Sequence, residues 1–157
     1  MKTKEHYSFQ ILLVEDDEND VELILMALEK SGINKNITTI NDSVEIIEYL
    51  NDAGNSDNGP IHLPDLIILD LKMPKLSGLE LLKEIKSCDQ LKNIPVVIIS
   101  SSNYEKDIEM AYRLGANSYV VKPVDYKKFV STVSKVGMYW VQINQPSVNF
   151  RSDTELH

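Results

Sequence analysis

Short apolar runs recur along the chain, and each of them ends in polar residues. The runs at 11–14, 66–69, 96–99 and 118–121 lead into Glu15, Asp70, Ser100 and Lys122 respectively. Continuous β-branched stretches of this length are typical of parallel strands that are buried on both faces. In open α/β sheets, ligands bind beyond the carboxyl ends of the strands. The pattern therefore predicts that these polar residues converge on one site.

Amphipathic segments alternate with the strands, as in a doubly wound sheet. The first helix is predicted to begin at Asn19 or Asp20 and to end near Gly32. A short second strand at 37–40 precedes a second helix, which is capped by Asp42 or Ser43. That helix carries apolar residues at helical spacing, namely Val44, Ile47 and Leu50. Residues 51–64 are rich in Gly, Asn, Asp and Pro, which predicts a loop.

Three more helices complete the predicted pattern. Ser77, with Glu80 three residues later, has the spacing of a capping box and opens the third helix. The fourth helix is predicted over 104–114, closed by Gly115. Asp125 caps a fifth helix, which carries Phe129, Val133, Val136 and Trp140 at helical spacing. From Gln145 the chain becomes polar and aperiodic, so we expect one domain over 9–144 and a polar tail over 145–157.

Composition narrows the classes of function. The 157 residues are enough for about one domain, and their net charge of −8 disfavours binding to nucleic acid or to anionic membranes. No apolar stretch approaches the roughly 20 residues that a membrane helix needs. The single cysteine, Cys88, cannot form an internal disulfide and suits a reducing compartment. We therefore expect a cytoplasmic protein with neither nucleic acid nor membrane as a partner.

The order of motifs resembles the receiver domain of two-component response regulators. The resemblance covers residues 9–140, and its motifs are Glu15-Asp16, Asp70 with Met73-Pro74 and Gly78 behind it, Ser100, and Lys122-Pro123. Within that family the chain is most similar to the stand-alone regulators of bacterial phytochromes. They share the long insert before the third strand, Ile94-Pro95 before the fourth, and the aromatic pair Tyr139-Trp140. The resemblance implies a flavodoxin-like (βα)5 fold with strand order 2-1-3-4-5.

The resemblance also implies a chemistry for the cluster. Asp70 would accept a phosphoryl group from a sensor histidine kinase, with a phytochrome as the candidate, and form an aspartyl-phosphate. Close carboxylates repel both one another and a phosphoryl donor, which a Mg²⁺ ion (Mn²⁺ as the alternative) would relieve. Asp16 and Asp70 are the expected direct metal ligands, Glu15 acts through water, and the backbone carbonyl of Lys72 matches the family's third protein ligand.

The remaining motif residues are expected to contact the phosphate and to transmit its presence. Lys122 would supply a fixed positive charge, and Ser100 would donate a hydrogen bond. A shift of Ser100 would let Tyr119 swing inward and remodel the face made by the fourth helix, fifth strand and fifth helix. Two departures from the family pattern are Glu15, where Asp is frequent, and Ser100, where Thr is frequent. Lys72 and Ser102 are expected to tune the lifetime of the phosphate.

Three other classes remain as alternatives. A metal-dependent phosphatase would carry a second Asp two residues after the nucleophile, where this chain has Lys72. A pseudo-receiver usually lacks one of the acids or the lysine. A flavodoxin-like cofactor carrier would need a phosphate-binding loop after the first strand, where Glu15 to Glu18 are all acidic and would repel a phosphate. We therefore expect a receiver that assists its own phosphorylation and dephosphorylation and is not an enzyme.

Apolar residues continue past the fifth helix. Met138, Tyr139, Trp140, Val141 and Ile143 offer more apolar surface than one small sheet can cover. Surface of this kind usually marks an interaction site, and a two-fold pairing is the commonest way to bury it. The sequence thus predicts a homodimer, with Trp140 and its neighbours folding back onto their own domain as the alternative. Because few residues follow Trp140, we expect a receiver without an output domain.

Overall fold

The structure, a computed structural model, describes residues 9–33, 36–54 and 63–146. Within them, strands and helices alternate as the sequence predicts. The strands are β1 (Ile11–Val14), β2 (Ile37–Ile40), β3 (Leu66–Leu69), β4 (Val96–Ser100) and β5 (Ser118–Val121). The helices are α1 (Glu18–Lys30), α2 (Ser43–Gly54), α3 (Gly78–Ser87), α4 (Glu105–Arg113) and α5 (Tyr126–Met138). A π-helical turn, Tyr139–Ile143, extends α5.

The described strands form one parallel sheet in the order β2-β1-β3-β4-β5. This confirms the predicted doubly wound, flavodoxin-like fold. Val14, the last residue of β1, is in register with Ile40 on one side and Leu69 on the other. The chain therefore leaves these neighbouring strands at the same edge, where the amide of Asp70 still donates to the carbonyl of Val14 over 3.0 Å. The shared register places Glu15 and Asp70 side by side.

Alternate residues of the central strands point into two separate hydrophobic layers. On one face, Leu12 and Val14 pack with buried residues of α2, α3 and α4. On the other face, Ile11 and Leu13 pack with buried residues of α1 and α5. Both faces of the sheet are covered, which explains why each central strand is a continuous apolar run rather than an alternating one.

The ends and faces of three helices differ from the sequence predictions. The N-cap of α1 is Asp17, whose side chain accepts from the amides of Asn19 and Asp20, so the helix begins earlier than predicted. Ser77 is the N-cap of α3, but its side chain makes no capping hydrogen bond, so the capping-box prediction is wrong. Among the α2 side chains that the structure describes, Ile46 is fully buried and Leu50 packs against the core. The predicted face of α2 is therefore right at Leu50 and wrong at its other two positions.

Val44 and Ile47, which were predicted to be buried, are exposed on α2. The same helix runs to Gly54, so it takes in the first four residues of the loop predicted at 51–64. Residues 55–62 of that loop lie outside the described residues, as does the predicted tail from residue 147 onward. Over the part of the chain that is described, no helix is long and apolar enough to cross a membrane.

The apolar segment after α5 divides into two groups. Trp140 and Val141 are half-buried and pack against the hydrophobic layer that α1 and α5 cover. Met138, Tyr139 and Ile143 are exposed. The side-chain amide of Gln142 donates to the carbonyl of Ser31 at 3.4 Å and ties the turn to the end of α1. Part of the segment thus folds back onto its own domain, and part of it remains on the surface.

Candidate functional site

Three carboxylates meet at the carboxyl edge of the sheet. Glu15 and Asp16 follow β1, Asp70 follows β3, and one carboxylate oxygen from each residue lies within 4.8 Å of the other two. Because β1 and β3 are neighbours in register, the chain cannot leave both strands without bringing these residues together. The predicted acidic cluster is therefore present, with Glu15 and Asp70 buried and Asp16 half-buried.

The cluster is electrostatically unfavourable by itself. Glu15 is 1% exposed, and burial raises the pKa of Glu15 to about 8, helped by the charge of Asp70 and opposed by the hydrogen bond from Lys122. Burial disfavours the charged form of a carboxylate because it removes the surrounding water, and a second carboxylate nearby adds repulsion. A cation at this site would relieve both effects.

Lys122 brings a positive charge to the same place from the end of β5. Its ammonium Nζ lies 2.8 Å from Glu15 Oε2, 2.7 Å from Asp20 Oδ2 and 3.4 Å from Asp70 Oδ2. Burial alone would lower the pKa of Lys122, but the hydrogen bonds to Asp20 and Glu15 outweigh burial and hold the pKa above its usual value. Lys122 therefore remains charged at neutral pH, as its predicted role requires.

Asp20 is a partner of Lys122 that the sequence analysis missed. Asp20 was considered there only as a helix cap, because the helix was expected to begin later. With Asp17 as the N-cap, Asp20 lies in the first turn of α1, and its carboxylate reaches Lys122. Side chains on a helix lean toward its N-terminus, which here is the end nearest the site. The available signal was the position of Asp20, an acidic residue three positions after a possible cap at Asp17.

Ser100 ends β4 and is completely buried. Its Oγ accepts a hydrogen bond of 3.2 Å from the amide of Ser102, and its carbonyl accepts one of 2.8 Å from the amide of Lys122. The second bond ties the strand end that carries the hydroxyl to the strand end that carries the ammonium. Ser100 thus occupies the strand-end position that the sequence predicts.

Tyr119 lies in β5, and its hydroxyl donates to the carbonyl of Ser102 at 2.8 Å. The Oγ of Ser102 in turn donates to Asp107 Oδ2 at 2.5 Å and accepts from the amide of Tyr104 at 3.3 Å. Ser102 therefore connects the aromatic residue to the first turn of α4. The expected effect of Ser102 on the lifetime of the phosphate stays a prediction, and its buried hydroxyl is bonded to α4. The contact with Asp107 was not predicted.

Hydrogen bonds and a close approach of α3 fix the loop after Asp70. The amide of Lys72 donates to Asp70 Oδ1 at 3.3 Å, and the side chain of Lys72 is exposed. The amide of Gly78 donates to the carbonyl of Leu71 at 3.0 Å. A Cβ at Gly78 would lie 2.5 Å from the Cα of Leu71, and closer still to the carbonyl oxygen of Asp70. Only glycine lets α3 approach this closely, as expected for the residue behind Asp70.

The donor set of the cluster suits a hard divalent cation. Glu15, Asp16 and Asp70 offer carboxylate oxygens, which Mg²⁺ and Mn²⁺ prefer over nitrogen or sulfur ligands. The free thiol of Cys88 is in a different place, at the end of α3 and in the groove that α3 forms with α2. The residues therefore fit the predicted metal. The carbonyl of Lys72 stays a prediction as a further ligand.

Comparison with known families supports the same interpretation. The family model described as the response regulator receiver domain matches residues 11–134. Those residues include the carboxylates, the hydroxyl, the ammonium and the aromatic residue described above.

Two curated relatives have similar lengths. The chain is 35% identical over 137 residues to the "Probable methanogenesis regulatory protein FilR2" of Methanothrix harundinacea, covering 87% of this chain and 86% of the relative. It is 36% identical over 132 residues to "Response regulator Rcp1" of Synechocystis sp., covering 84% of this chain and 88% of the relative.

Two solved structures share the fold closely. The phosphorylated cyanobacterial phytochrome response regulator RcpA has a TM-score of 0.79 and 38% identity, covering 88% of this chain and 97% of RcpA. The Mn²⁺-bound form of Rcp1 has a TM-score of 0.79 and 34% identity, covering 89% of this chain and 99% of that one.

Proposed function

The chain belongs to the response regulator receiver family, and we propose that Asp70 is the residue that accepts a phosphoryl group from a sensor histidine kinase. One observation carries this proposal. Glu15, Asp16 and Asp70 place carboxylate oxygens within 4.8 Å of one another, and the ammonium of Lys122 contacts two of the three residues. An acidic cluster with one largely buried cation beside it suits phosphoryl transfer, which needs positioning and charge neutralisation more than covalent assistance.

Each residue then has a definite part in the transfer. A carboxylate oxygen of Asp70 attacks phosphorus, the bond from phosphorus to the donor breaks, and the donor keeps the bonding electrons. Lys122 donates hydrogen bonds to the developing charge on the phosphoryl oxygens, and Ser100 donates another. A bound Mg²⁺ or Mn²⁺ would neutralise these oxygens and the carboxylates. The Mn²⁺-bound form of Rcp1 supports such a metal in this chain.

Phosphorylation would be transmitted through Ser100 and Tyr119. The amide of Ser102 is bonded to the hydroxyl of Ser100, and its carbonyl is bonded to the hydroxyl of Tyr119. A move of Ser100 toward the phosphate would therefore displace Ser102, whose carbonyl accepts the hydrogen bond from Tyr119. The result is a shift in the populations of two conformations. The size of the shift is limited by the difference between the contacts that the phosphate makes in each conformation. The face of α4, β5 and α5 would change with it.

Similarity favours a phytochrome as the kinase partner. RcpA is a phytochrome response regulator, and 97% of its chain is covered by this one. The relation to FilR2, a probable regulator of methanogenesis, is of similar strength, so the kinase has to be found by experiment. The chain acts as a phosphoacceptor rather than as a phosphatase, because Lys72 stands where such a phosphatase has its general acid.

The protein also forms a homodimer through its C-terminal third. Met138 at the end of α5, and Tyr139 and Ile143 in the π-helical turn after it, are exposed, whereas Trp140 and Val141 are half-buried against their own domain. Ile143→Glu should give monomers in sedimentation at micromolar concentration, and Val124→Glu, the same change at another exposed aliphatic residue, should not. A wild-type monomer, with or without acetyl phosphate, would refute the dimer.

Phosphotransfer from histidine kinases tests the central proposal. Purified candidate kinases, including a phytochrome, are loaded with labelled phosphate and mixed with the chain in Mg²⁺. At least one kinase should transfer label rapidly to the wild type and to Asp89→Asn, in which an exposed carboxylate paired with Lys92 is changed. Asp70→Asn should take no label. Equal labelling of Asp70→Asn would show that another residue is the acceptor.

A further inference from the structure

The ammonium of Lys122 has a partner that lies outside the acidic cluster. Asp20 Oδ2 is 2.7 Å from Lys122 Nζ, closer than either Glu15 at 2.8 Å or Asp70 at 3.4 Å. Asp20 belongs to α1, whereas the other two residues follow strands. Its side chain is 28% exposed, against 10% for Lys122, so Asp20 lies on the solvent side of the ammonium.

The three partners of Lys122 differ in what happens to them when the site is used. Glu15 and Asp70 belong to the set of carboxylates that can hold a metal, and Asp70 would also carry the phosphoryl group. Oxygens that bind a cation or a phosphorus atom have less charge to offer an ammonium. Asp20 belongs to neither group, so its bond to Lys122 can persist while the other two weaken. An ammonium has three protons, so one can stay on Asp20 while the others reach phosphoryl oxygens.

We propose that Asp20 is a positioning residue, which holds the ammonium of Lys122 at the site when Glu15 and Asp70 are engaged by metal and phosphoryl group. This inference rests on the function proposed above and concerns the regulation of the same site. Lys122 has a long, flexible side chain that can adopt many conformations when no partner fixes its end. A charge-assisted hydrogen bond from α1 limits those conformations before the phosphoryl group arrives, which is the preorganisation that electrostatic catalysis needs.

The first test follows Lys122 directly and needs no phosphorylation. Nitrogen NMR of the lysine ammonium groups is recorded for the wild type, Asp20→Ala, Asp20→Glu and Glu22→Gln during a Mg²⁺ titration. Glu22 is exposed on the same helix, so Glu22→Gln removes one negative charge without touching Lys122. The Lys122 signal should persist in Mg²⁺ for the wild type and Glu22→Gln, should disappear in Asp20→Ala, and should partly return in Asp20→Glu. A Lys122 signal that persists in Asp20→Ala would overturn the proposal.

The second test measures phosphorylation by acetyl phosphate at saturating Mg²⁺, so that altered metal affinity does not enter. The maximal rate of Asp20→Ala should fall by about tenfold, as expected when Lys122 is no longer held for its charge-assisted hydrogen bond to the phosphoryl oxygens in the transition state. The effect should vanish in a Lys122→Ala background, because Asp20 acts through that ammonium. Equal rates, or losses that add in the double variant, would overturn the proposal.

The two tests separate the two proposals. If the wild type takes no phosphoryl group, the proposed function fails, and the NMR titration still decides whether Asp20 holds Lys122. If the wild type is phosphorylated and Asp20→Ala behaves like Glu22→Gln, the function stands and the role of Asp20 is wrong. If both tests give the expected results, Asp20 of α1 holds the ammonium of Lys122 in place.

Discussion

Gly78→Ala should damage the site while changing none of its chemical groups. The added Cβ would lie 2.5 Å from the Cα of Leu71, and closer still to the carbonyl oxygen of Asp70. Both neighbours are backbone atoms, which cannot turn aside as the end of a flexible side chain can. An ordinary contact needs at least 3.4 Å, so α3 and the loop after β3 must separate by more than about 0.9 Å.

The size of the effect follows from this separation. Inserting one carbon into a filled space that must open typically costs about 1–3 kcal/mol, and we expect the upper half of that range because backbone has to move. The movement acts on the residue that carries the proposed phosphoacceptor. Since Mg²⁺ demands near-ideal ligand distances of about 2.0–2.1 Å, a shift of Asp70 by several tenths of an ångström should also weaken metal binding.

Urea unfolding and a Mn²⁺ titration of the same variant measure both effects, with Gly32→Ala as the control. Gly32 has φ +79° and nothing within 4 Å of an added Cβ, so alanine there is strained without a clash and far from the site. We expect Gly32→Ala to lose about 1 kcal/mol of stability and to bind Mn²⁺ normally. Gly78→Ala should lose more stability and bind Mn²⁺ more weakly. Wild-type stability and Mn²⁺ affinity in Gly78→Ala would refute the reasoning.

Three further predictions concern the charged and hydroxyl groups. Burial raises the pKa of Glu15 from 4.5 to about 8, so between these pH values the folded, metal-free protein holds a proton that the unfolded chain releases. The free energy of unfolding should therefore fall as pH rises from 4.5 to 8. Glu15→Gln should flatten that part of a plot of urea-unfolding free energy against pH. Lys72→Asn should change the dephosphorylation rate several-fold without preventing phosphorylation, and identical decay would contradict this. Ser102→Ala removes the bond to Asp107 and should cost about 1–2 kcal/mol, with faster hydrogen exchange in the first turn of α4.

The sequence was most informative where strand register decides the geometry. Glu15 and Asp70 were expected to meet because each follows an apolar run, and parallel neighbours end at the same edge. Ser100 and Lys122 follow from the same rule at β4 and β5. These predictions needed the order of the strands and no detail of any side chain. They therefore do not depend on the residue at which each strand begins.

The sequence was least informative where one residue could serve two purposes. Asp17 and Asp20 are both good capping residues, and only the structure shows that Asp17 caps α1. Asp20 therefore lies in the first turn of the helix, where its carboxylate contacts Lys122. Val44, Ile46 and Ile47 offer α2 more than one apolar face, and packing against the sheet selects Ile46. A contact between Ser102 and Asp107 depends on the path of the loop into α4, which no periodicity reports.

The most direct test of the central claim is the intact mass of the protein after incubation with acetyl phosphate and Mg²⁺, followed by mapping of the modified residue. The account predicts the addition of one phosphoryl group, stable in acid and labile in base, on Asp70. Chelation of the metal should prevent the addition, and Asp70→Asn should show none. A phosphoryl group that maps to another residue, or that appears equally in Asp70→Asn, would contradict the account.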